Sequence, residues 1–436
     1  MMKLISSWKF LSSYRKDPLN HMVRLLQKDQ GRSVLNIFGK NIIITSKAED
    51  VNYVLKENAN NYIKGRTTQK LQFLLGQGLF TSEGEAWRKQ HRFIRPLMNT
   101  RGITQLLPKM DEVIQFHFKN YASSQELNMA KEMTVLTWKI VLNTLFSVGP
   151  QHPEVSWLHD ILDVMEAVTQ RTRSLLPIPY WVPTKRHLKM KKTIQQFNAF
   201  VFDLMEERKK DPTKQNDLLS LLLNARDSSE SKPVQMDSKL IRDEMITFLM
   251  AGHETVANSM SWLMILLSQH PEYFAKLREE ENQTKDIISF EEKVSKMPLH
   301  RAVIDEAQRL YPAIWIFMRQ ALEDDQMNSV KIKRGTNVVV VPYISHRETK
   351  YWDQPEVFRP ERFIDSPKPI TGSYYPFSLG PRACIGYNFA TFESVLILNY
   401  LIKNFEWQIL HPEEQKSYAG LTLRPLSNIE MRMKRL

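Results

Sequence analysis

The sequence predicts a mainly α-helical fold with a small β-rich subdomain, and two patterns support this prediction. The first is helical: the pattern from Ala48 to about residue 320 is mainly helical, and a proline-free run extends from Ser238 to Gln269. At 1.5 Å per residue this run forms a helix of roughly 45 Å, long enough to cross a large domain. A further helix is predicted from about Tyr387 to Asn404.

The second pattern is β-rich. Residues 34–38 and 42–45 favour strands, and Gly39-Lys40-Asn41 between them indicates a hairpin. Another β-rich patch covers 330–343, and short strands are predicted within 421–433. Because the chain contains no flexible linker and no repeat, we expect one domain, whose range and β-rich parts are 1–436, with the β-rich subdomain from about 30–60 and 320–345.

Composition and net charge limit the class of protein and the kinds of partner that the chain fits. The chain has 436 residues, 42% hydrophobic and 25% charged, which is typical of a globular protein. Its net charge of +12 fits a nucleic acid, an anionic membrane or an acidic protein as partner. The basic residues form no block and no nucleic-acid motif is present, so we expect no nucleic-acid partner.

The N-terminus and the cysteine count bear on location. Lys3, Lys9, Arg15 and Lys16 interrupt the apolar stretches near the N-terminus, so we expect no transmembrane anchor. The single cysteine, Cys384, excludes an intrachain disulfide and is typical of a reducing compartment. We therefore expect a cytoplasmic protein.

The segment around this cysteine, Phe377-Ser-Leu-Gly380-Pro-Arg382-Ala-Cys384-Ile-Gly386, carries the strongest chemical signal. A lone cysteine is most often a small buried apolar residue. Here Cys384 lies just before a predicted helix, whose first amides and dipole favour a thiolate, the metal-binding form. Gly380 and Gly386 permit a tight loop that approaches a flat ligand. Phe377 is placed to cover the sulfur, and Arg382 to reach an anionic group of that ligand.

This segment resembles the haem-binding loop of the cytochrome P450 family, Phe-x-x-Gly-x-Arg-x-Cys-x-Gly, at all of its fixed positions. The resemblance implies the cytochrome P450 fold, haem b (iron protoporphyrin IX) as cofactor, and Cys384 as the axial ligand of the iron. A thiolate ligand pushes electron density onto the iron and favours O–O cleavage. The resemblance also implies that Phe377, Arg382 and Gly386 help to bind the haem.

A second matching segment, Ala251-Gly252-His253-Glu254-Thr255, lies in the middle of the long predicted helix. Glycine in a helix interior costs about 1 kcal/mol, so a functional reason has to be weighed against chance. The resemblance implies the distal oxygen groove, in which the Thr255 hydroxyl hydrogen-bonds within a kinked turn and supports dioxygen. Glu254 would feed the proton relay. Taken alone, the segment also fits an exposed polar face of a helix.

Two further segments imply a structural network. Glu306 and Arg309 share one face of a predicted helix, and Arg362 follows in Pro-Glu-Arg-Phe. Such pairs are common on helix surfaces, where each contributes little to stability. The resemblance implies instead that these three residues form a buried network, which locks the loop that presents Cys384.

Contacts with the haem propionates are implied at two places. Trp87 and His91 lie four residues apart on one helix face. Many family members have Arg at the second position, and histidine is a weaker counter-ion near neutral pH, so a packed core histidine is the alternative. Arg319 matches a second propionate-binding arginine, and a solvated arginine is its alternative.

The resemblance covers nearly the whole chain and is strongest to soluble bacterial-type members. It implies a monooxygenase that inserts one oxygen atom from O2 into a lipophilic substrate, such as a fatty acid, a terpenoid or a polyketide-like molecule. The alternatives are a peroxide-using peroxygenase, a non-catalytic haem sensor or carrier, and a structural helical protein without cofactor. The segments expected to line the substrate pocket are apolar and aromatic: 62–80, 175–181, Phe248, 314–317 and 420–423.

The chain lacks the glycine-rich nucleotide-binding fingerprint, so we expect a separate electron donor, a ferredoxin or a flavodoxin with its reductase. The resemblance implies docking near the helix that begins at Trp87. This helix carries Arg88, Lys89 and Arg92, which would attract an acidic donor. The alternative is that these side chains solvate the helix or hold propionates.

Overall fold

The computed structural model describes residues 7–122, 124–152, 160, 163–164, 166–168, 171, 178–210, 217–227, 234–365, 368–412, 415–426 and 428–436. Of the predicted pocket segments, 175–177 lies outside the described residues. The fold is mainly α-helical with small β-sheets, as predicted.

The α-helices, numbered in chain order, are α1 (Ser7–Lys16), α2 (Pro18–Lys28), α3 (Ala48–Asn52), α4 (Arg66–Lys70), α5 (Gln72–Leu75), α6 (Gly84–Met98), α7 (Thr100–Thr104), α8 (Leu107–Phe118), α9 (Met129–Phe146), α10 (Lys185–Lys210), α11 (Leu218–Asn224), α12 (Ser238–Gln269), α13 (Glu272–Thr284), α14 (Phe290–Ser295), α15 (Pro298–Leu310), α16 (Pro342–Ser345) and α17 (Tyr387–Asn404). A π-helical turn follows α3 (Tyr53–Glu57), and 3-10 turns occupy Ala59–Asn61, Pro360–Phe363 and Gly380–Arg382. The helices predicted at α12 and α17 are present with the predicted bounds.

The strands are β1 (Arg32–Ile37), β2 (Lys40–Thr45), β3 (Tyr62–Lys64), β4 (Ser124–Asn128), β5 (Arg226–Asp227), β6 (Val234–Gln235), β7 (Phe317–Ala321), β8 (Asp325–Met327), β9 (Val330–Ile332), β10 (Asn337–Val340), β11 (Phe405–Ile409), β12 (Ser417–Ala419), β13 (Leu423–Pro425) and β14 (Glu430–Arg435). Contacts divide the chain into two compact units. The first contains Met1–Gln69, Ala302–Cys384 and Lys416–Leu426, and the second contains Lys70–Arg301, Ile385–Gln415 and Ser427–Leu436.

The first unit is built on a mixed five-stranded sheet with the order β1-β2-β10-β7-β3. β10 runs parallel to β2, and the other neighbouring strands are antiparallel. Side chains alternate between the two faces along a strand, so Val338 and Val340 enter one apolar cluster while Val339 enters the other. Both faces of the sheet are therefore covered, and β7 lies inside it, between β10 and β3.

The hairpin between β1 and β2 turns one residue earlier than predicted. Ile37 pairs with Lys40, so the turn consists of Phe38 and Gly39, and Lys40 and Asn41 already belong to β2. Both turn residues have positive φ, 50° and 75°. Two-residue turns of this kind fit the right-handed twist of the strands, which is why they join hairpins so often.

The second unit is organised around α12, which is buried along most of its length. The helix begins where the Asp237 carboxylate accepts a hydrogen bond from the Leu240 amide at 2.8 Å. Its main neighbour is α9, whose inner face is almost entirely apolar. Towards its C-terminus, the carbonyl of Met264 accepts a hydrogen bond from the Trp407 indole at 3.1 Å, which ties α12 to the sheet β11-β14-β4. The middle of α12 is thus held from several sides.

Candidate active site

The loop before α17 presents Cys384. The Cys384 amide donates to the Phe377 carbonyl at 2.8 Å and closes the loop. Gly380 has φ 70°, and a Cβ built there would lie 1.9 Å from the carbonyl oxygen of Leu55, so only glycine fits. The sequence predicts that Gly380 lets the loop approach a ligand. In the structure its close neighbour is protein backbone, because the loop rests on the π-helical turn that contains Leu55.

The protein alone leaves this loop uncovered. No residue from 376 to 386 is buried, although Tyr375 and Phe389 on either side are. Cys384 is exposed, and Phe377 is only half-buried. That Phe377 covers the sulfur stays a prediction. The chain's one thiol stands on an open surface, held in place by the backbone contacts of its loop.

Glu306, Arg309 and Arg362 form a buried charged network in the first unit. Arg309 binds both oxygens of the Glu306 carboxylate, at 2.7 and 2.9 Å, and Arg362 Nε donates to Oε1 at 3.1 Å. Glu306 and Arg309 are fully buried, and Arg362 nearly so. This arrangement differs from the exposed helix pair that was the alternative.

The network also fixes irregular backbone. Arg309 donates to three carbonyls, and these belong to His346, Pro355 and Val357. The Arg359 amide donates to Glu306 at 2.9 Å. Burial lowers the pKa of Arg362, and the Glu306 carboxylate opposes this shift. The charges therefore hold together the segment between β10 and the Cys384 loop, which has little regular structure.

The middle of α12 is the one stretch where this otherwise buried helix opens. Ala251 is exposed, and Gly252, Glu254 and Thr255 are half-buried, whereas the flanking stretches are buried almost throughout. The Thr255 hydroxyl donates to the carbonyl of Ala251 at 2.9 Å. The opening is lined by small residues next to one carboxyl and one hydroxyl.

Helix α9 supports this turn from behind, a feature that the sequence analysis missed. The Thr137 hydroxyl reaches the His253 carbonyl at 3.0 Å, and the Trp138 ring lies edge-on to the His253 ring at 5.0 Å. A Cβ at Gly252 would lie 3.1 Å from Val141, which explains why a small residue fits there. The sequence offers only a weak hint, the adjacent Thr137 and Trp138 on the mostly apolar buried side of this helix.

His253 itself faces the protein interior. It is fully buried, and its Nδ1 lies 2.7 Å from the carbonyl of Leu249. Burial lowers its pKa to about 4, so the ring is neutral at pH 7. A neutral ring that donates from Nδ1 leaves Nε2 as an acceptor.

The predicted propionate ligands lie on two separate elements. On α6, the rings of Trp87 and His91 contact each other at 4.9 Å, and both residues are half-buried. On β7, Arg319 is largely buried: its Nη1 donates to the carbonyl of Met318 at 3.2 Å, and its guanidinium lies 5.1 Å from the Phe317 ring. Arg319 is therefore not the solvated arginine that was its alternative.

The chain is similar to known proteins over most of its length. The family model described as "Cytochrome P450" matches residues 4–431. The chain belongs to the cytochrome P450 family. It is 30% identical over 397 residues to Protein LUTEIN DEFICIENT 5, chloroplastic, of Arabidopsis thaliana, covering 85% of this chain and 66% of that protein. It is 27% identical over 415 residues to Putative cytochrome P450 132 of Mycobacterium tuberculosis, covering 90% and 88%.

Solved cytochrome P450 structures share the fold. The haem domain of cytochrome P450DA superposes with a TM-score of 0.84 at 24% identity, covering 96% of this chain and 93% of that one. A cyanobacterial cytochrome P450 with bound retinoic acid gives a TM-score of 0.83 at 24% identity, covering 95% and 94%. Cytochromes P450 are monooxygenases that bind haem and use O2 with a redox partner, so the chain is an oxidoreductase. Among its described residues, no helix is long and apolar enough to cross a membrane.

The residues of this cytochrome P450 fit haem. In the first unit, the loop that carries the chain's only thiol exposes its surface and is closed by its own backbone. In the second unit, α12 presents Ala251 and Gly252, two of the smallest side chains, at its one open stretch. A thiolate donor and a small-residue surface are what a flat, iron-containing macrocycle requires.

Proposed function

We propose that the chain is a haem b monooxygenase in which Cys384 binds the iron and one oxygen atom of O2 enters a lipophilic substrate. The observation that carries this proposal is the lone thiol, exposed on a backbone-closed loop three residues before α17. The family match runs through both units, which supports treating residues 1–436 as one cytochrome P450 domain. When bound, the haem supplies the oxidation, and the protein supplies orientation and proton control.

The remaining haem contacts are proposed from the same matching segments. Phe377, Arg382 and Gly386 would complete the loop around the iron ligand. Trp87, His91 and Arg319 would hold the propionates. Arg319 is suited to this role because its guanidinium is already oriented by the Met318 carbonyl and the Phe317 ring. The network of Glu306, Arg309 and Arg362 would keep the loop in place without touching the reacting atoms.

Glu254 and Thr255 would handle protons at the open stretch of α12. The Thr255 hydroxyl is oriented because it donates to the Ala251 carbonyl, so its oxygen lone pairs are left to accept a further hydrogen bond. Glu254, one residue earlier and half-buried, would bring protons towards that hydroxyl. We assign the proton relay to this pair.

The substrate class follows from the apolar interior of the second unit. A water-sized cavity there, too small to be the substrate pocket itself, shows the apolar character of this interior: it is lined by Leu74, Val164, Ile194, Phe197, Ile246 and Met250, with Thr193 as the polar exception. Such a lining favours a lipophilic molecule, and we propose a fatty acid, a terpenoid or a polyketide-like compound. Spectral titration of the holoenzyme with these three classes will identify the class that shifts the haem absorption spectrum.

A separate ferredoxin or flavodoxin, with its reductase, would deliver the electrons, and we place the protein in the cytoplasm with soluble bacterial members. Helix α6 exposes Arg88, Arg92 and Arg95, with only Glu85 as an acidic residue, so an acidic donor would be attracted to it. Salt screens such attraction over about 10 Å at 0.1 M. Lys89→Glu is therefore expected to slow reduction at low salt, measured by stopped flow, with unchanged substrate binding. A reduction rate that ignores both salt and this substitution would remove α6 as the docking surface.

The decisive experiment replaces the iron ligand. Cys384→His is expected to abolish the long-wavelength carbon monoxide band that thiolate haem gives after reduction with dithionite. The band is expected to survive in Thr255→Ala, which leaves the thiol intact and serves as the control. If the band persists in Cys384→His, the axial assignment is wrong. Turnover with a donor and O2 identifies a monooxygenase, turnover with hydrogen peroxide alone a peroxygenase, and no turnover a haem sensor or carrier.

A further inference from the structure

Three residues on one face of α9 contact a single turn of α12. Thr137 reaches the backbone carbonyl of His253, Trp138 packs edge-on against the His253 ring, and Val141 lies under Gly252. All three α9 residues are buried. The contacted turn is the one that carries Glu254 and Thr255. One helix therefore backs the turn that the proposed function assigns to proton delivery.

Among these three contacts, the one made by the Thr137 hydroxyl is polar. Its single proton is shared among three carbonyls, those of Met133 at 2.9 Å and Thr134 at 3.3 Å on its own helix and that of His253 at 3.0 Å on α12. A carbonyl oxygen has two lone pairs, so it can accept this lateral bond in addition to a bond within its own helix. When the proton points to α12, the lateral bond restrains the peptide between His253 and Glu254. Because the next side chains follow from that peptide, their direction depends on it.

We propose that Thr137 is a positioning residue for the Glu254–Thr255 pair. It acts through the His253 carbonyl and touches neither substrate nor cofactor. Loss of its hydroxyl frees the turn, so the Thr255 hydroxyl and the Glu254 carboxyl spend less time where a proton is needed. Dioxygen then takes two electrons from the donor and two protons and leaves as hydrogen peroxide, while the substrate stays unoxidised. This inference rests on the proposed function.

The chain offers a matched control on the same helix. Thr144 is also fully buried in α9, and its hydroxyl donates at 2.6 Å to the carbonyl of Ile140, four residues earlier. Thr137 makes the corresponding bond to Met133, but it alone of the two also reaches α12. Thr137→Val and Thr144→Val thus remove the same hydroxyl from similar surroundings. They differ in the bond to His253.

The first measurement is amide hydrogen exchange of the holoenzyme, followed by mass spectrometry on peptides that cover the middle of α12. One hydrogen bond of ordinary net strength corresponds to about a five-fold change in local opening. We expect exchange in that region to become about five-fold faster in Thr137→Val and to stay at the wild-type rate in Thr144→Val. Thr137→Ser, which keeps the hydroxyl, is expected to restore the wild-type rate. If Thr137→Val does not fold, Thr137→Ala takes its place.

The second measurement is coupling, the fraction of electrons that appear in product and not in peroxide. We expect several-fold more peroxide from Thr137→Val, wild-type coupling from Thr144→Val and Thr137→Ser, and an unchanged carbon monoxide band in all three. Equal behaviour of the two valine variants, or faster exchange without a loss of coupling, overturns the inference. Thr255→Ala distinguishes failure of the proposed proton relay from failure of the positioning role of Thr137. If Thr255→Ala leaves coupling unchanged, the proton relay fails. If Thr255→Ala lowers coupling and Thr137→Val does not, only the positioning role fails.

Discussion

Two sets of buried polar residues differ in whether they carry charge. In the first unit, the charged network of Glu306, Arg309 and Arg362 is buried with its charges paired. In the second unit, His253 and Glu393 are equally buried, but burial makes each of them neutral. His253 Nε2 and both carboxyl oxygens of Glu393 have no hydrogen-bond partner among the described residues. The residues of the network keep their charges in pairs, whereas His253 and Glu393 are held in their neutral forms.

This difference indicates what each region does. A buried charge is tolerable only when every partner is present, so the network is rigid and fails as a whole when one member is lost. A neutral buried group tolerates an incomplete set of partners at a smaller cost. The charged network therefore suits a permanent support for an irregular loop. The neutral groups lie on α12, which carries the turn with Glu254 and Thr255, and on α17, which follows Cys384.

The largest effect is expected from breaking the charged network. Glu306→Gln leaves two buried guanidinium groups without their carboxylate, which typically costs 3–5 kcal/mol. We expect little folded, haem-loaded protein, measured by haem content per chain and by the thermal midpoint. Glu356→Gln is the control, because it removes a carboxylate that is mostly exposed in its pair with Arg347. Wild-type haem content in Glu306→Gln would contradict the structural role of the network.

The next effect is a loss of stability in acid, and it comes from His253. Its pKa is about 4 in the folded protein and 6.5 in the unfolded chain. The unfolded chain therefore binds the extra proton first, so stability falls as the pH drops from 6.5 towards 4. One unit of pKa shift corresponds to 1.36 kcal/mol, so the total loss is about 3 kcal/mol.

The measurement is the difference in the thermal midpoint between wild type and His253→Asn from pH 7 to pH 5. We expect the thermal midpoint of the wild type to fall more steeply with decreasing pH than that of His253→Asn. Thr144→Val, which removes a buried hydroxyl and no ionisable group, provides the control and is expected to keep the wild-type dependence on pH. Parallel curves for wild type and His253→Asn would mean that His253 is not buried as a neutral ring.

The fold was largely predictable because its strongest signals are local. The absence of proline from Ser238 to Gln269 and the apolar pattern of Tyr387–Asn404 gave both helices their correct bounds. The β1–β2 turn was misplaced by one residue, because Phe38 is an unusual choice for a position with positive φ. A residue that breaks a local preference cannot be recognised as a turn residue from the sequence pattern.

The site was less predictable because its supports are not local. Glu306 and Arg362 are distant in the chain, and only the structure shows that both are buried. Thr137 and His253 are likewise joined through packing of two helices, and no spacing in the sequence reports that contact. Gly380 illustrates the same limit. Its need for glycine was foreseen, but its neighbour, the Leu55 carbonyl, was not.

The smallest expected effect on stability comes from Glu393, and it can be compared with that of the other buried glutamate, Glu306. Burial raises the pKa of Glu393 well above its usual range, so this carboxyl stays protonated where the unfolded chain ionises. The folded state is then penalised as the pH rises above about 4.5, which is the opposite slope to that of His253. Glutamine has nearly the same shape and never ionises. Glu393→Gln should therefore stabilise the protein, whereas Glu306→Gln should destabilise it.

Between pH 5 and pH 6 the stability of Glu393→Gln relative to wild type is expected to increase with pH, because the unfolded wild-type chain loses a proton that the folded chain keeps. Thermal midpoints of both glutamine variants across this range, measured on haem-loaded protein, test the sign directly. If Glu393→Gln destabilises at every pH, the carboxyl is ionised and paired like Glu306. The distinction between a paired charged region and a neutral one would then fail. If the two glutamine variants shift stability in opposite directions, Glu306 is buried as a paired carboxylate and Glu393 as a neutral carboxyl group in the same chain.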